Sequence, residues 1–229
     1  MKAVIMAGGK GTRLRPLTCT LPKPMVPVAC RPMMEHVVNL AVAHGFRDLA
    51  CTLCYMPDTI QTHFGDGASF GCSIRYSIEE TPLGTAGSVR ALADFTDDTF
   101  LVISGDALTD IDLASAVEFH RQKGAAATIV LTRVEAPLEY GVVIVDGDCR
   151  ITRFLEKPSW GEVFSDTVNT GIYVLEPDVM ELVEASREFD FSKNLFPQLL
   201  ADGYPMFGYV AEGYWCDVGN LEQYRNTHL

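Results

Sequence analysis

Acidic residues are missing from the start of this chain: Met1 to Met34 holds six Lys or Arg (Lys2, Lys10, Arg13, Arg15, Lys23, Arg31) and no Asp or Glu. The 229 residues together carry a net charge of -12, so the remainder sums to 12 minus 30, or -18. Cations gathered in one stretch of an acidic protein focus field there, which points to an anionic ligand at the N-terminal loop. The same balance argues against nucleic acid as a partner, because a polyanion needs a broad basic surface. No stretch approaches the roughly 20 uninterrupted apolar residues of a membrane span, and no membrane partner is expected. Met1 opens directly into a strand without a signal-peptide order, so a cytoplasmic protein is expected. The seven cysteines are odd in number and scattered, which fits reduced thiols rather than a disulfide framework. Cys51-x-x-Cys54 has neither a second such pair nor a neighbouring His, so it reads as buried strand packing rather than zinc. Repeats, low-complexity segments and linkers are also missing, and a single α/β domain over residues 1–229 is expected.

What is present begins with a short apolar strand, Ala3 to Met6, followed by Ala7-Gly8-Gly9-Lys10-Gly11-Thr12-Arg13-Leu14-Arg15-Pro16-Leu17-Thr18. Residues without a Cβ let the backbone approach a ligand closely and turn its N–H groups inward, so the stretch reads as a phosphate-handling loop. It is not a Walker A sequence, and Leu14 stands where the dinucleotide fingerprint has its third glycine. Taken alone the glycines also fit an ordinary strand-to-loop turn. Arg13, Arg15 and Lys23, fenced by Pro22 and Pro24, favour the phosphate reading, because the prolines stiffen the backbone around one cation.

Gly8-Gly9-x-Gly11-Thr12-Arg13-Leu14-x-Pro16-Leu17-Thr18, followed by Pro22-Lys23-Pro24-Met25, resembles the signature of the sugar-1-phosphate nucleotidyltransferases, or nucleotide-sugar pyrophosphorylases. The resemblance implies that a nucleoside triphosphate reacts with a sugar 1-phosphate, with Mg²⁺ as cofactor, to give a nucleotide-sugar and pyrophosphate. It implies that the glycines, Thr12 and Arg13 hold the triphosphate together with Ala7, and that Lys23 contacts the reacting phosphates. It extends from Lys2 to about Tyr224. Many relatives continue into a second domain after the helix expected over Asn220 to Leu229, and a homo-oligomer is compatible with the resemblance. Two positions depart from the pattern: Cys30, where relatives often carry a polar residue, and Ser104, where Asn is common.

Short apolar runs alternate with helical patterns, the mark of crossover units. Strands are expected at Val4–Met6, Leu49–Leu53, Ser73–Ser77, Phe100–Ile103, Ala127–Leu131, Gly141–Val145, Ile172–Leu175 and Met206–Val210. Helices are expected at Met33–His44, Gly87–Ala93, Leu113–Lys123, Asp178–Ala185 and Phe191–Ala201. Asp112 and Gly124 cap the third of these. The fold class is a three-layer α/β/α, Rossmann-like, mixed and mostly parallel sheet, with ligands at the carboxyl ends of its strands.

Three further sets should reach that end. Glu80, Pro82, Gly84, Thr85 and Ala86 lie in a loop opening a helix, where the resemblance places the nucleobase. Its wording, Pro-Leu-Gly-Thr-Ala-Gly, is closest to the mannose-1-phosphate guanylyltransferases, with glucose-1-phosphate thymidylyl- or uridylyltransferases as the alternative. Asp106, at the end of an apolar strand, suits Mg²⁺, which takes one or two carboxylates; the resemblance pairs it with Asp217. Asp110 and Asp112 read as turn and helix caps. Gly141, Glu156, Lys157 and Asn169 match segments that contact the sugar 1-phosphate, although Glu156-Lys157 alone would read as a solvated surface pair.

None of the five histidines (His36, His44, His63, His120, His228) lies in these sets. The implied nucleophile is an ionised phosphate oxygen, so no general base is required. Arg13, Lys23 and Asp106 are therefore the expected catalytic residues, working by positioning and charge neutralisation. A catalytically inactive nucleotide-sugar-binding regulatory subunit is disfavoured by the presence of Gly11, Arg13, Lys23, Asp106 and Asp217. A nicotinamide oxidoreductase is disfavoured by the missing third glycine.

Overall fold

The computed structural model describes residues 1–159, 161, 163 and 165–228. Its strands are β1 (Lys2–Met6), β2 (Pro27–Val28), β3 (Arg31–Pro32), β4 (Asp48–Leu53), β5 (Ser73–Ile78), β6 (Phe100–Ser104) and β7 (Ala107–Thr109). They continue with β8 (Ala127–Arg133), β9 (Gly141–Val145), β10 (Ile151–Glu156), β11 (Thr167–Leu175), β12 (Met206–Val210) and β13 (Trp215–Asp217). The helices are α1 (Met33–Ala43), α2 (Pro57–Phe64), α3 (Gly84–Arg90), α4 (Leu113–Lys123), α5 (Phe196–Ala201) and α6 (Leu221–Asn226).

Nine strands form the central sheet along the path β10-β9-β11-β6-β1-β4-β5, with β8 joined to β11 and β12 to β8. β1, β4, β5 and β6 are mutually parallel, β11 runs against β6, and β10 runs against β9. Only β10 and β11 oppose the common direction, so the sheet is mixed and mostly parallel.

Both faces are covered, which explains the continuous apolar runs in the sequence. Ala3 and Ile5 of β1 face one core with Met34, Val37, Ile60, Phe64, Leu113 and Val117 from α1, α2 and α4. Val4, between them, faces the other core with Ala86, Val89, Phe196 and Leu199 from α3 and α5. The alternation along β1 thus assigns the helices to two layers around the sheet. Among the described residues no helix is long and apolar enough to cross a membrane.

Several elements differ from the sequence expectation for identifiable reasons. α2 was not expected, although Pro57 starts it and Ile60 and Phe64 give it an apolar face. α3 starts at Gly84, three residues before the expected Gly87. The segment expected as a helix from Asp178 is instead 3-10 turns over Pro177–Leu182, and Val183 is already extended. The helix expected over Phe191–Ala201 begins as a π turn, Phe191–Leu195, and becomes α5 at Phe196; Pro197 has no N–H to give the preceding turn. β11 begins at Thr167 rather than Ile172 because a bulge between Asn169 and Tyr173, with Gly171 at φ 77°, interrupts its alternation. α4 matches its expected bounds: Asp112 accepts from the Ala114 and Ser115 amides, and Gly124 closes it in the left-handed region. The last residue of the helix expected over Asn220 to Leu229 lies outside the described residues.

Candidate active site

The chain leaves β1 toward β4 on one side, and β6 lies on the other, so the first loop and the end of β6 flank a topological switch point. Such a crevice at the carboxyl ends of strands is where open α/β sheets bind ligands. Because β11 is antiparallel to β6, its beginning, not its end, reaches this crevice, and Gly171 lies over Ser104. A two-stranded ribbon completes it: β13 pairs with β7 so that Asp217 sits opposite Ala107, beside Asp106. That register brings together two carboxylates 111 residues apart in the sequence.

Lys23 joins them. Its side chain is 10% exposed, with Nζ 2.5 Å from Asp106 Oδ2 and 3.4 Å from Asp217 Oδ1. Burial pulls the ammonium pKa down, but the two carboxylates outweigh it and hold it above the ordinary lysine value. Burial likewise opposes ionisation of Asp106, yet the Lys23 charge and hydrogen bonds from Lys23 and Ser104 keep its pKa below the usual carboxylate range. Asp217 goes the other way, pushed up by burial and by the Asp106 charge against the pull of Lys23 and Arg13. Ser104, one of the two departures from the family pattern, donates its hydroxyl to Asp106 Oδ1.

Gly11 sets the height of Lys23. It has φ 61°, and a Cβ there would lie 2.7 Å from Lys23 Cβ and 3.1 Å from Thr18 Cγ2. Only glycine combines that backbone with so close an approach. Thr18 Oγ1 donates to the Gly11 carbonyl (2.7 Å) and fixes the loop over the lysine.

The crevice has two halves, cavities of about 280 and 330 Å³ that share Ser104 and Asp106 in their walls. The larger is bounded by Gly8, Gly9, Cys54, Glu79, Pro82 and Thr85. The smaller contains Lys23, Gly141, Glu156, Lys157, Asn169 and Asp217.

All four residues expected to face the sugar phosphate therefore lie in one half. A Cβ on Gly141 would come within 2.9 Å of Glu156 Oε2, so the glycine lets Glu156 lie against the backbone. Burial, followed by the Asp190 charge, pushes the Glu156 pKa up. Asn169 is fixed by its own bonds: Oδ1 accepts from the Gly171 amide (2.9 Å), and Nδ2 donates to Tyr173 OH and Ser192 Oγ.

The nucleotide set is more dispersed. Gly8, Gly9, Pro82, Gly84 and Thr85 line the larger half. Arg13 lines the smaller one, its guanidinium facing Asp217 rather than the first loop's half. Thr12 is exposed outside both walls, while Ala7 is buried and gives its N–H to the Thr52 carbonyl. Glu80 lies outside both walls, and its neighbour Glu79 lines the larger half. The Glu79 amide continues β5 by bonding Leu53 O, so alternation turns Glu79 over the strand ends and Glu80 to solvent. Glu79 Oε2 accepts the Leu83 amide at 2.9 Å, and burial pushes its pKa up.

Ala86 lies outside both walls as well. It is fully buried behind the crevice, and its N–H and that of Gly87 both go to Phe189 O, so these amides are not available to a base. The Thr85 hydroxyl is similarly engaged, donating to Asp190 and accepting from the Phe191 amide. Gly84 (φ 72°) is held against Phe189, where a Cβ would meet the backbone at 2.6 Å. Asp110 and Asp112 stand apart as caps: Asp110 accepts the Tyr214 amide at 2.6 Å.

Sequence reasoning missed Glu79, Cys54, Asp190 and Ser192 in the walls. Asp190 carried a usable signal, since Asp followed by Phe-Ser-Lys is an N-cap pattern and its side chain accepts from the Ser192 and Lys193 amides. No histidine lines either half among the described residues.

Residues 2–229 match the nucleotidyl transferase family. The chain is 41% identical to a UTP–glucose-1-phosphate uridylyltransferase of Synechocystis, over 98% of its own length and 61% of that protein's. It is 40% identical to a mannose-1-phosphate guanylyltransferase of Mycobacterium tuberculosis, over 97% of its length and 62% of that protein's. It thus spans about three fifths of these curated relatives. A solved structure of a putative glucose-1-phosphate thymidylyltransferase from Bacillus anthracis, in complex with a sucrose, superposes with a TM-score of 0.89 at 27% identity, covering 100% of this chain and 94% of that one. With a whole-length match and a crevice joined at Asp106, this chain belongs to the nucleotidyl transferase family.

Proposed function

We propose that the protein transfers a nucleotidyl group from a nucleoside triphosphate to a sugar 1-phosphate and releases pyrophosphate. The observation that carries this reading is the two-part crevice whose halves meet at Asp106, with Lys23 clasped between Asp106 and Asp217. Two reactants of different shape, joined through one phosphorus, call for two adjoining cavities with the charged groups at their junction. The attacking phosphate oxygen is already ionised, so no proton acceptor is needed, and no histidine lines the walls among the described residues. Lys23 and Arg13 offset the repulsion between the two polyanions, Lys157 pairs with the sugar phosphate, and Glu156 and Asn169 orient the sugar. Catalysis is then positioning and electrostatic stabilisation of an in-line displacement.

Mg²⁺ fits the Asp106–Asp217 pair, because both side chains already direct oxygen at one cation, the Lys23 ammonium. Hard oxygen donors, one or two of them carboxylates, are what Mg²⁺ takes. Held by these two residues, it would stabilise charge on the departing pyrophosphate.

GTP and mannose 1-phosphate are the proposed substrates. A carboxylate at Glu79, in the wall of the larger half, accepts hydrogen bonds, as the N1–H and amino group of guanine require. The Mycobacterium tuberculosis relative is named for this pair. The Synechocystis relative is named for UTP and glucose 1-phosphate, which is the second reading. Four nucleoside triphosphates assayed for pyrophosphate release against mannose, glucose and N-acetylglucosamine 1-phosphates test both. A tenfold or greater preference for UTP or dTTP in kcat/KM overturns the guanylyl assignment; no pyrophosphate from any pair overturns the enzyme reading.

A further inference from the structure

Gln223, on α6, lies outside both cavity walls and yet links the smaller half to the C-terminal turn. The Gly219 amide donates to its Oε1 at 2.8 Å. An amide N–H can only donate, so the oxygen of the carboxamide must face Gly219 and the nitrogen must face the other way. Nε2 accordingly donates to the Tyr140 hydroxyl at 2.9 Å. The Tyr140 oxygen is then an acceptor, and its proton has no acceptor among the described residues. Tyr140 lines the smaller half of the crevice beside Gly141 and Lys157.

The ring and backbone of Tyr140 are tied in as well. The ring meets Trp215 edge-on with centroids 5.4 Å apart, and the Tyr140 carbonyl accepts the Lys157 amide at 3.1 Å. On the other side, a Cβ on Gly219 would lie 3.2 Å from Asp217 Oδ2 and 3.4 Å from Arg13 Nη2, so the turn gripped by Gln223 is the one that shelves these two charges. α6 is short, but Asn220 caps it by accepting from the Glu222 and Gln223 amides at 3.0 and 2.9 Å, which fixes where Gln223 starts.

We propose that Gln223 is a positioning residue for the sugar 1-phosphate: it locks the Asp217–Gly219 turn to Tyr140 and aims the Tyr140 hydroxyl proton into the crevice, at an acceptor oxygen of that substrate. This rests on the nucleotidyl-transfer reading. The carboxamide suits the task because it supplies an acceptor and a donor from one planar group, which methionine, of similar length, cannot.

The test is steady-state kinetics of pyrophosphate release, with thermal melts of each variant. Gln223→Met and Tyr140→Phe should each raise the KM for sugar 1-phosphate about five- to tenfold, the scale of one lost hydrogen bond, while the KM for the triphosphate stays within twofold. The double variant should be no worse than the poorer single one, because both break the same link. Glu222→Gln, exposed beside it, should change neither KM. If both KM values rise together, or if the two losses multiply, Gln223 is merely structural and the proposal is overturned. Should Gln223→Met fail to fold, Tyr140→Phe decides alone: an unchanged sugar 1-phosphate KM overturns it. If the wild-type protein releases no pyrophosphate, the enzyme reading has failed instead. Calorimetric binding of the sugar 1-phosphate to wild type and Tyr140→Phe then decides the positioning claim, with equal affinities counting against it.

Discussion

Replacing Lys23 by methionine separates the two things its ammonium does. Methionine keeps most of the buried stem and removes only the charge that sits 2.5 Å from Asp106 and 3.4 Å from Asp217. Taking one partner from a buried pair typically costs about 3–5 kcal/mol, because the other charge is left uncompensated. Asp106 and Asp217 keep 22% and 32% of their side-chain surface, so solvent screens part of the loss and about 3 kcal/mol is expected. For a chain of this size that is a fall in Tm of about 6–12 °C.

The pH dependence gives the sharper check. Asp106 has a lowered pKa in the folded protein, so it adds stability above its unfolded value near pH 4, and that contribution fades as the pH falls through the folded value. Asp217, with a raised pKa, subtracts stability above about pH 4, and its penalty disappears as it protonates. Without Lys23 both carboxyls are pushed up, so the destabilisation should be greatest near pH 8 and shrink toward pH 5. Urea melts at both pH values measure it. Lys23→Met with Asp106→Asn should recover most of the stability but not the activity, which should stay down by about a hundredfold or more. Equal stability of wild type and Lys23→Met at pH 8, or a loss that is the same at pH 5, would refute the picture of two carboxylates sharing one lysine.

Two other substitutions probe the walls. Gly11→Ala forces a Cβ to 2.7 Å from Lys23 Cβ at φ 61°; it should lower stability by about 1–3 kcal/mol and reduce kcat more than the triphosphate KM, and unchanged kcat would show that the loop does not set the lysine. Glu79→Gln can still accept the Leu83 amide but turns a donor toward the base half; GTP should lose about tenfold or more in kcat/KM relative to UTP in competition assays, and an unaltered ratio would remove Glu79 from base selection.

Much of the fold was legible because its strands are buried on both faces: Phe100 to Ile103 and Ala127 to Leu131 read as mainly apolar runs and lie within the strands Phe100–Ser104 and Ala127–Arg133. What escaped was whatever depends on geometry between elements. Gly171 hid the first half of β11, and Pro197 divided a helix whose apolar pattern runs on across it. The convergence of Asp106 and Asp217 came only from family resemblance, since nothing in the spacing of two residues announces that β7 and β13 will pair. Glu79 and Glu80 are the clearest case. Identical side chains in adjacent positions differ only in which way a strand's end turns them, so sequence chemistry could name a carboxylate there but not choose between the two.

The narrow seam at Ser104 and Asp106 has a consequence for how this architecture can diversify. Apart from those two residues, the side chains that bound one half do not bound the other, so much of one wall can be remodelled without touching the other; Asp190 is an exception, since it lines the larger half while accepting the amide of Ser192 in the smaller. The two halves are thereby largely separable, like two sockets wired to a single junction.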